Sequence, residues 1–404
     1  MEDAKHEPFL NGIKVLDMGS FVAAPAAATV MADYGADVIK IEPPDGDGYR
    51  RLLAAAPVDH FWMLTSRSKR SLALDLKSDD GAEILHRLVR WADVFVTNYR
   101  DSLLDKLGLT YAALAELNPR LVYAHVSGYG RRGPEAGRPA FDTTAWWGRS
   151  GLQEFTRDEG APPIISAPGM GDHATAMSLF GAIMAALYRR ERSGRGALVE
   201  TSLLANGVWS NGMVMQAMLA GDDWSTRKHE GERPRHPLAS LYQTRDERWV
   251  QLSLLNPVKE WAPFTEAMLH PEWQQDSRFA DAAQRLEHAD ALIPLIAQAI
   301  GALTLEELRR RLDERGLTYG YAAQNRELVA DPQLIDNDIL IPTADSEGPY
   351  TRTVANPIHI SGEVQRTPTR APGVGEHSVA ILQELGCSAG EIDRWLAARS
   401  VIAP

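Results

Sequence analysis

Cysteine is almost missing from this 404-residue chain: Cys387 stands alone. No disulfide can close within the chain, no multi-cysteine zinc site can be built, and no C-x-x-C redox pair exists. A reducing compartment fits that usage, and the cytoplasm is the expected location. Long apolar runs are missing too. Nothing approaches the roughly 20 residues of a membrane-spanning helix, and Met1–Pro8 is charged, without the apolar core of a signal peptide. A chain neither secreted nor membrane-embedded is expected. Basic clusters are also lacking: 42 Lys and Arg against 54 Asp and Glu give a net charge of −12. No electrostatic footprint for a phosphate backbone is present, and no nucleic-acid partner is expected. The turn after the first strand pattern, Gly19-Ser20-Phe21-Val22-Ala23-Ala24-Pro25, lacks the G-x-G-x-x-G spacing that seats a dinucleotide pyrophosphate. There is no Walker A loop and no H-E-x-x-H, and Gly148-Arg149-Ser150-Gly151 is not the nucleophile elbow of an α/β-hydrolase.

The chain does have 44% apolar and 24% charged residues, the balance of a soluble globular protein, and length for two or three domains. Ile13–Asp17 reads as a strand, Ala26–Tyr34 as a helix stopped by Gly35, and Ala36–Glu42 as a strand closed by Pro43-Pro44. The alternation recurs: strand Ser71–Leu76, helix Gly81–Trp91 capped by Ser78 or Asp79, strand Val94–Val96, strand Leu121–Val126. Repeated strand and helix patterns predict a mostly parallel, doubly wound sheet with helices on both faces. Such a sheet binds ligands at the carboxyl ends of its strands, where the small side chains of Ala23, Ala24 and Ala26–Ala28 would let a bulky ligand lie close.

From Asp172 the positions Ala176, Leu179, Phe180, Ile183, Met184 and Leu187 recur with helical period, which predicts a deeply packed helix. Val199–Met218 reads as another buried stretch. A polar segment at 221–237 then marks a boundary. Beyond it a hairpin (Ser240–Thr244 with Trp249–Leu254) and helices at Trp261–Met268, Ala289–Gly301 and Leu305–Gly316, the last with a Thr304/Glu307 capping box, predict a smaller α+β unit. The tail carries short helices at His377–Leu385 and Ala389–Ala398. Expected boundaries are 1–220 for the large domain, 221–330 for the small one with its linker, and 331–404 for the tail.

Asp172 opens the strongest helix, directly after Gly169-Met170-Gly171. On pattern alone it reads as an N-cap, since aspartate is among the best caps. A helix N-terminus also favours an ionised carboxylate, which predicts a charged Asp172 at neutral pH, available as a nucleophile.

Taken together these segments resemble the class III CoA transferases, the CaiB/BaiF or formyl-CoA transferase family. The markers are Val15-Leu16-Asp17 with Pro25, Gly35–Glu42, Ser68–Lys77, Ala92–Tyr99, Val126–Gly130 with Gly133-Pro134, Gly171-Asp172, Gly194-Arg195-Gly196 and Gly375-Glu376-His377. The resemblance implies a Rossmann-like large domain, completed by the C-terminal tail, with a smaller domain between, and a homodimer of interlocked rings. It implies that Asp172 attacks an acyl-CoA thioester and passes through an aspartyl-CoA thioester before CoA moves to a free carboxylic acid, with amides near Gly169 and Gly171 as oxyanion donors. It implies coenzyme A as the acyl carrier, and no metal is expected. The family's CoA positions fall on Phe21, Val22 and Ala23, on Lys69, Arg70 and Leu72, on Asn98 and Tyr99, and on Lys106 and Leu107, with Arg138 as a further phosphate contact. Cations are what pyrophosphate and a 3′-phosphate require.

The glycine-rich loop that formyl-CoA transferases carry in the small domain has no counterpart here, so oxalate and formate specificity is not carried over. Asp142, Trp146 and Trp147 fall in a segment the family uses near the acyl group. Two adjacent indoles fit a site for a bulky aliphatic, aryl or steroid-like acid, one facing the ligand and the other in the core, and equally fit plain core residues. Two rival readings stand beside the transferase. An α-methylacyl-CoA racemase needs a second acid/base where this chain has Phe141, with only His173 and His125 as possible substitutes. A non-catalytic CoA-binding protein would need an unreachable Asp172.

Overall fold

The computed structural model describes residues 7–52, 59–157, 160–224, 236–345 and 350–404. Six strands form a parallel sheet: β1 (Lys14–Met18), β2 (Asp37–Glu42), β3 (Arg70–Leu74), β4 (Val94–Thr97), β5 (Val122–Ser127) and β6 (Ala197–Ser202). Their order is β3-β2-β1-β4-β5-β6, and Val401–Ile402 from the end of the chain adds an antiparallel edge beside β3. The order reverses between β1 and β4, so the carboxyl ends of those two strands form the switch point where a doubly wound sheet opens a ligand crevice.

Helix α1 (Ala23–Asp33) is buried along its whole length. Its alanines pack against a neighbouring helix rather than waiting for a ligand, because only small side chains allow such close approach on every face. Beyond it run α2 (His60–Ser66), α3 (Asp79–Trp91), α4 (Asp101–Leu107), α5 (Tyr111–Leu117), a π-helical turn at Thr143–Gly148, α6 (Leu152–Phe155) and α7 (Met170–Ser193). Ser78 is the cap of α3: its hydroxyl accepts the Gly81 amide at 3.0 Å. α7 buries Thr175, Ala176, Leu179, Phe180, Ile183, Ala186 and Leu187 with α1 and one face of the sheet. The opposite face packs on α3, α5 and the tail helices Ser378–Glu384 and Ala389–Ala397, whose Trp395 is fully buried.

The Val199–Met218 stretch departs from its reading. After β6 come α8 (Leu203–Ser210) and α9 (Gly212–Leu219); no residue of α9 is buried, and Trp209, Met213 and Leu219 lie exposed. Apolar content predicted burial there, but only tertiary position decides it.

By its contacts the chain forms two units, one of Met1–Thr156, Pro163–Ser225 and Gln333–Pro404, the other of Arg157–Pro162 and Thr226–Pro332. The smaller unit holds the three-stranded antiparallel sheet β7 (Leu241–Gln243), β8 (Trp249–Leu252) and β9 (Tyr319–Tyr321). Its helices Trp261–Ala267, Ala289–Gly301 and Leu305–Asp313 surround their own core, and the Thr304/Glu307 capping box is formed. Parts of three expectations, the charged start Met1–Pro8 (1–6), the linker at 221–237 (225–235) and the tail at 331–404 (346–349), lie outside the described residues. Among the described residues no single helix is long and apolar enough to cross a membrane.

Candidate active site

The loop leaving β1 is shaped by buried charge. Asp17, in the interior of the sheet, accepts Gly19 N–H through Oδ1 at 3.0 Å and Lys69 Nζ through Oδ2 at 2.7 Å. Lys69 Nζ donates its remaining protons to the carbonyls of Pro25 and Thr65, both at 2.7 Å. Beside it Lys40 donates to the Gly19 carbonyl and pairs with Asp47 at 3.1 Å, and Asp47 in turn accepts the Ser20 hydroxyl at 2.8 Å. Burial pulls the Lys69 ammonium down to about 8 against the pull of Asp17. At the switch point Ser20 and Asn98 exchange two hydrogen bonds of 2.8 Å, tying the β1 loop to the end of β4. Phe21, next in the loop, is held at φ 61°, a left-handed conformation that is strained in a residue with a side chain.

These contacts overturn part of the expected CoA set. Lys69 is buried with all three protons committed inside the protein, so it shapes the loop and cannot also meet a phosphate. Arg70 turns to Asp37, the first residue of β2 at the amino end of the strands, with contacts of 3.0 and 2.6 Å, and to Glu384 at 2.7 Å. Leu72 is fully buried in the core on the tail-helix side of the sheet. Val22 and Ala23 are buried at the start of α1. Asn98 and Tyr99 do stand at the carboxyl end of β4, where the Tyr99 carbonyl accepts His125 Nε2–H at 2.9 Å. Lys106 is exposed in the last turn of α4 with Leu107 half-buried beside it, and Arg138 is exposed and paired with Glu135 at 2.6 Å. Arg100, at the start of α4, escaped the sequence reading; among the described residues neither it nor Lys106 makes an ion pair.

Asp172 is not the cap of α7. Gly169, at φ 73°, is the N-cap and Asp172 the third helical residue, half-buried. Among the described residues its carboxylate accepts no hydrogen bond, and neither oxygen is sealed from solvent. Burial, then the charge of Asp142, raises it from its ordinary 3.8 to about 7. That rise corresponds to something of the order of 4 kcal/mol against ionisation, whereas a helix N-terminus contributes at most about 2 kcal/mol in its favour. The expectation of a fully charged Asp172 at neutral pH is therefore corrected.

Asp142 is buried and caps the π-helical turn. Its Oδ1 accepts the Thr143 amide at 2.8 Å, and its Oδ2 accepts the Gly171 amide at 3.2 Å. The Gly171 amide is thus engaged and cannot serve an oxyanion as expected, while the Gly169 amide has no acceptor among the described residues. Gly171 must be glycine for another reason: a Cβ there would stand 2.5 Å from Cγ of Trp146.

Trp146 and Trp147 are both buried, with ring centroids 6.1 Å apart and planes within 15°. Trp147 Nε1 donates to the Ile164 carbonyl at 2.9 Å, and Trp146 Nε1 is buried without a partner. The expected division into one ligand-facing and one core indole is not what the structure shows; both are core. The aromatic surface by the carboxylate pair comes from elsewhere. Phe141, exposed and next to Asp142, meets Phe21 edge-on at 5.5 Å; Phe21 meets Tyr49 at 5.7 Å, and Tyr49 stacks with Phe61 at 6.4 Å. Burial and then the charge of Asp172 push the Tyr49 phenol up to about 12, which places it in the same electrostatic neighbourhood. Tyr49 and Phe61 sit in segments far apart in sequence, and only their position after β2 and in α2 could have drawn attention to them.

A cavity of about 910 Å³ lies between α1, α7 and the segments Asn337–Pro342 and Val354–Pro368. His173 and Arg67 line it; Asp172 does not. His125 lies in β5 between Ala124 and Val126, which pack on the α7 side, so strand alternation directs it to the other face of the sheet.

The Asp172 geometry has a stability consequence. Its folded value of about 7 lies above the roughly 3.9 of an unfolded aspartate, so between those pH values the folded state binds more protons and stability falls as pH rises. Asp172→Asn is expected to melt above the wild type at pH 8, with the gain vanishing near pH 4. A pH-independent difference in Tm would contradict the raised value.

Comparison with known proteins agrees with this architecture. Residues 10–378 match the model of CoA-transferase family III. The chain is 31% identical to the (R)-2-hydroxy-4-methylpentanoate CoA-transferase of Clostridioides difficile, covering 96% of this chain and 98% of that one. It is also 31% identical to a formyl-CoA:oxalate CoA-transferase of Streptomyces coelicolor, over 97% and 99%. Among solved structures, a CaiB/BaiF family protein from Brucella suis superposes with a TM-score of 0.82 at 26% identity, covering 93% of this chain and 99% of that one. A sheet reversing at β1/β4, an aspartate in the first turn of α7 and similarity along nearly the whole length make this chain a member of CoA-transferase family III, an enzyme that transfers CoA.

Proposed function

We propose that the enzyme moves CoA between an acyl-CoA and a free carboxylic acid through covalent intermediates on Asp172, and that the acyl group is bulky and apolar. The observation that carries the reading is an unbonded, solvent-reaching carboxylate with its proton affinity raised to about 7, fixed at the start of a buried helix. A carboxylate of raised basicity is the better nucleophile, and an exchange between acids needs a nucleophile that is itself a carboxylate, so that each intermediate stays close in energy to the thioester. An Asp172 oxygen attacks the thioester carbonyl, the C–S bond breaks, and CoA leaves as thiolate from a mixed anhydride. The thiolate then attacks the aspartyl carbonyl, releasing the donor acid and leaving aspartyl-CoA. The acceptor carboxylate runs these steps in reverse. The Gly169 amide is the donor best placed for the oxyanion. Arg100 and Lys106, at the two ends of the helix that follows β4 and without an ion pair among the described residues, are the cations assigned to CoA phosphates.

The racemase reading has no histidine at its motif position, which is Phe141; His125 faces the other side of the sheet, and His173 lines the cavity that Asp172 does not line. Enzymes as similar as those of C. difficile and S. coelicolor are named for very different acids, so this chain's own side chains must decide. Phe21, Phe141, Tyr49 and Phe61 favour an apolar acyl group.

Asp172→Ala and Asp172→Asn are expected to lose CoA exchange by at least about 10³-fold while remaining folded. Exchange at wild-type rate in either variant would remove the nucleophile. Phe141→Ala is expected to lower kcat/KM for phenyl or branched acyl-CoA donors by about tenfold, and less for acetyl-CoA. An equal loss for both donors, or a wild-type preference for oxalyl- or formyl-CoA, would remove the apolar acyl assignment.

A further inference from the structure

Carboxyl exchange needs one carboxylate on the enzyme, yet the fold sets two against each other. Asp142 is buried and makes no ion pair among the described residues; its oxygens are held by two backbone amides, Thr143 at 2.8 Å and Gly171 at 3.2 Å. Burying a carboxylate without a cation is unfavourable unless something in the site requires it. The Gly171 contact puts Asp142 one residue away from Asp172 along α7. The arrangement is also rigid. Asp142 caps a π-helical turn, a rare conformation often found at functional sites, and from that turn Trp146 lies directly on Gly171, with no room for even a Cβ between them. The turn and the first turn of α7 are therefore tied by a hydrogen bond and by close packing, which holds the two carboxylates near one another.

Resting on the reading of Asp172 as nucleophile, we propose that Asp142 is a positioning residue that drives Asp172 into its acylated state, by pinning the first turn of α7 through the Gly171 amide and holding a fixed negative charge against the nucleophile. In free enzyme the ionised Asp172 is opposed by that charge. When its oxygen bonds to the acyl carbon and the C–S bond breaks, the negative charge departs on the CoA sulfur and Asp172 becomes a neutral anhydride. It is neutral again as aspartyl-CoA, the charge then residing on the free acid. The repulsion thus acts on the free nucleophile and is relieved in both covalent intermediates, which lie lower relative to free enzyme than they would beside a neutral group. The other titratable and charged groups around the site are Tyr49, raised and neutral in the working range, Asp59 and Asp47, whose charges act on Tyr49, and His173, lowered by burial and by Arg67 against the pull of Asp142; Asp142 is the charge that acts on Asp172.

The test compares wild type, Asp142→Asn and Asp142→Glu in holo turnover with an acyl-CoA donor. Asparagine keeps the shape and one acceptor, which serves the Gly171 amide at the cost of the Thr143 contact, while removing the charge. In wild type, kcat/KM is expected to rise with pH around a midpoint near 7. Asp142→Asn is expected to move that midpoint down by about one pH unit or more and to reduce the fraction of enzyme trapped as covalent intermediate in acid-quenched mass spectra, with KM for the donor changed less than about twofold. Asp142→Glu is expected to restore the midpoint. An Asp142→Asn midpoint or trapped fraction equal to wild type, with Asp172 still essential, would overturn the proposal and leave the nucleophile standing. An active Asp172→Ala would instead overturn the nucleophile itself. If Asp142→Asn does not fold, infrared titration of the Asp172 carboxyl in Asp142→Ser, which keeps an oxygen acceptor without the charge, decides: a midpoint below that of wild type supports the proposal, and one equal to wild type overturns it.

Discussion

The hydrogen bond from the Gly171 amide to Asp142 joins the two halves of the site, and most of the local architecture answers to it. It requires Asp142 to turn inward at the head of the π-helical turn, and it brings Trp146 onto a position that only glycine can fill. It also removes one helix-end amide that could otherwise have satisfied Asp172. Asp172 is left with a free, basic carboxylate at a place where helix geometry alone would have made it acidic. Under the proposed mechanism electrostatic cost and chemical use coincide: the Asp142 charge, which together with burial makes ionised Asp172 unfavourable in the resting fold, is the one whose relief on acylation is favourable.

A second buried assembly supports the other wall of the crevice. Asp17, Lys69, Lys40 and Asp47 hold the β1 loop from below, and Ser20 with Asn98 closes it against β4. With both cations satisfied internally, the loop can keep Phe21 in a strained conformation against Phe141 and Tyr49. Breaking one member would leave an uncompensated buried charge, which costs far more than the pair contributes. These residues are therefore better understood as a scaffold for the crevice than as its ligand contacts.

The strands, the long helix and the capping boxes were legible in the sequence because period, β-branching and caps are local signals. So was the place of Asp172 at the start of the long helix, through its Gly-Met-Gly approach. Lys69 was misread because its role depends on Asp17 and on carbonyls of Pro25 and Thr65, which only the folded loop brings together. Trp146 and Trp147 were open to two readings, one indole facing the ligand or both in the core, and the π-helical turn stacks both inside. Tyr49, Phe61 and Arg100 were missed for a related reason: each sits in an unremarkable local pattern, and only sheet topology puts it near the crevice. The state of Asp172 was misjudged because a helix end is visible in sequence, whereas a neighbour 30 positions away is not.

The central claim is that Asp172 exchanges its own oxygen with the substrates. Turnover with an acceptor acid carrying ¹⁸O in its carboxylate tests this directly. The acceptor oxygen attacks aspartyl-CoA, and when thiolate then takes the acyl carbon of the anhydride, that oxygen stays on the enzyme. Peptide mass spectrometry after turnover should show ¹⁸O in the side chain of Asp172. Continued turnover with that side chain unlabelled would contradict the account.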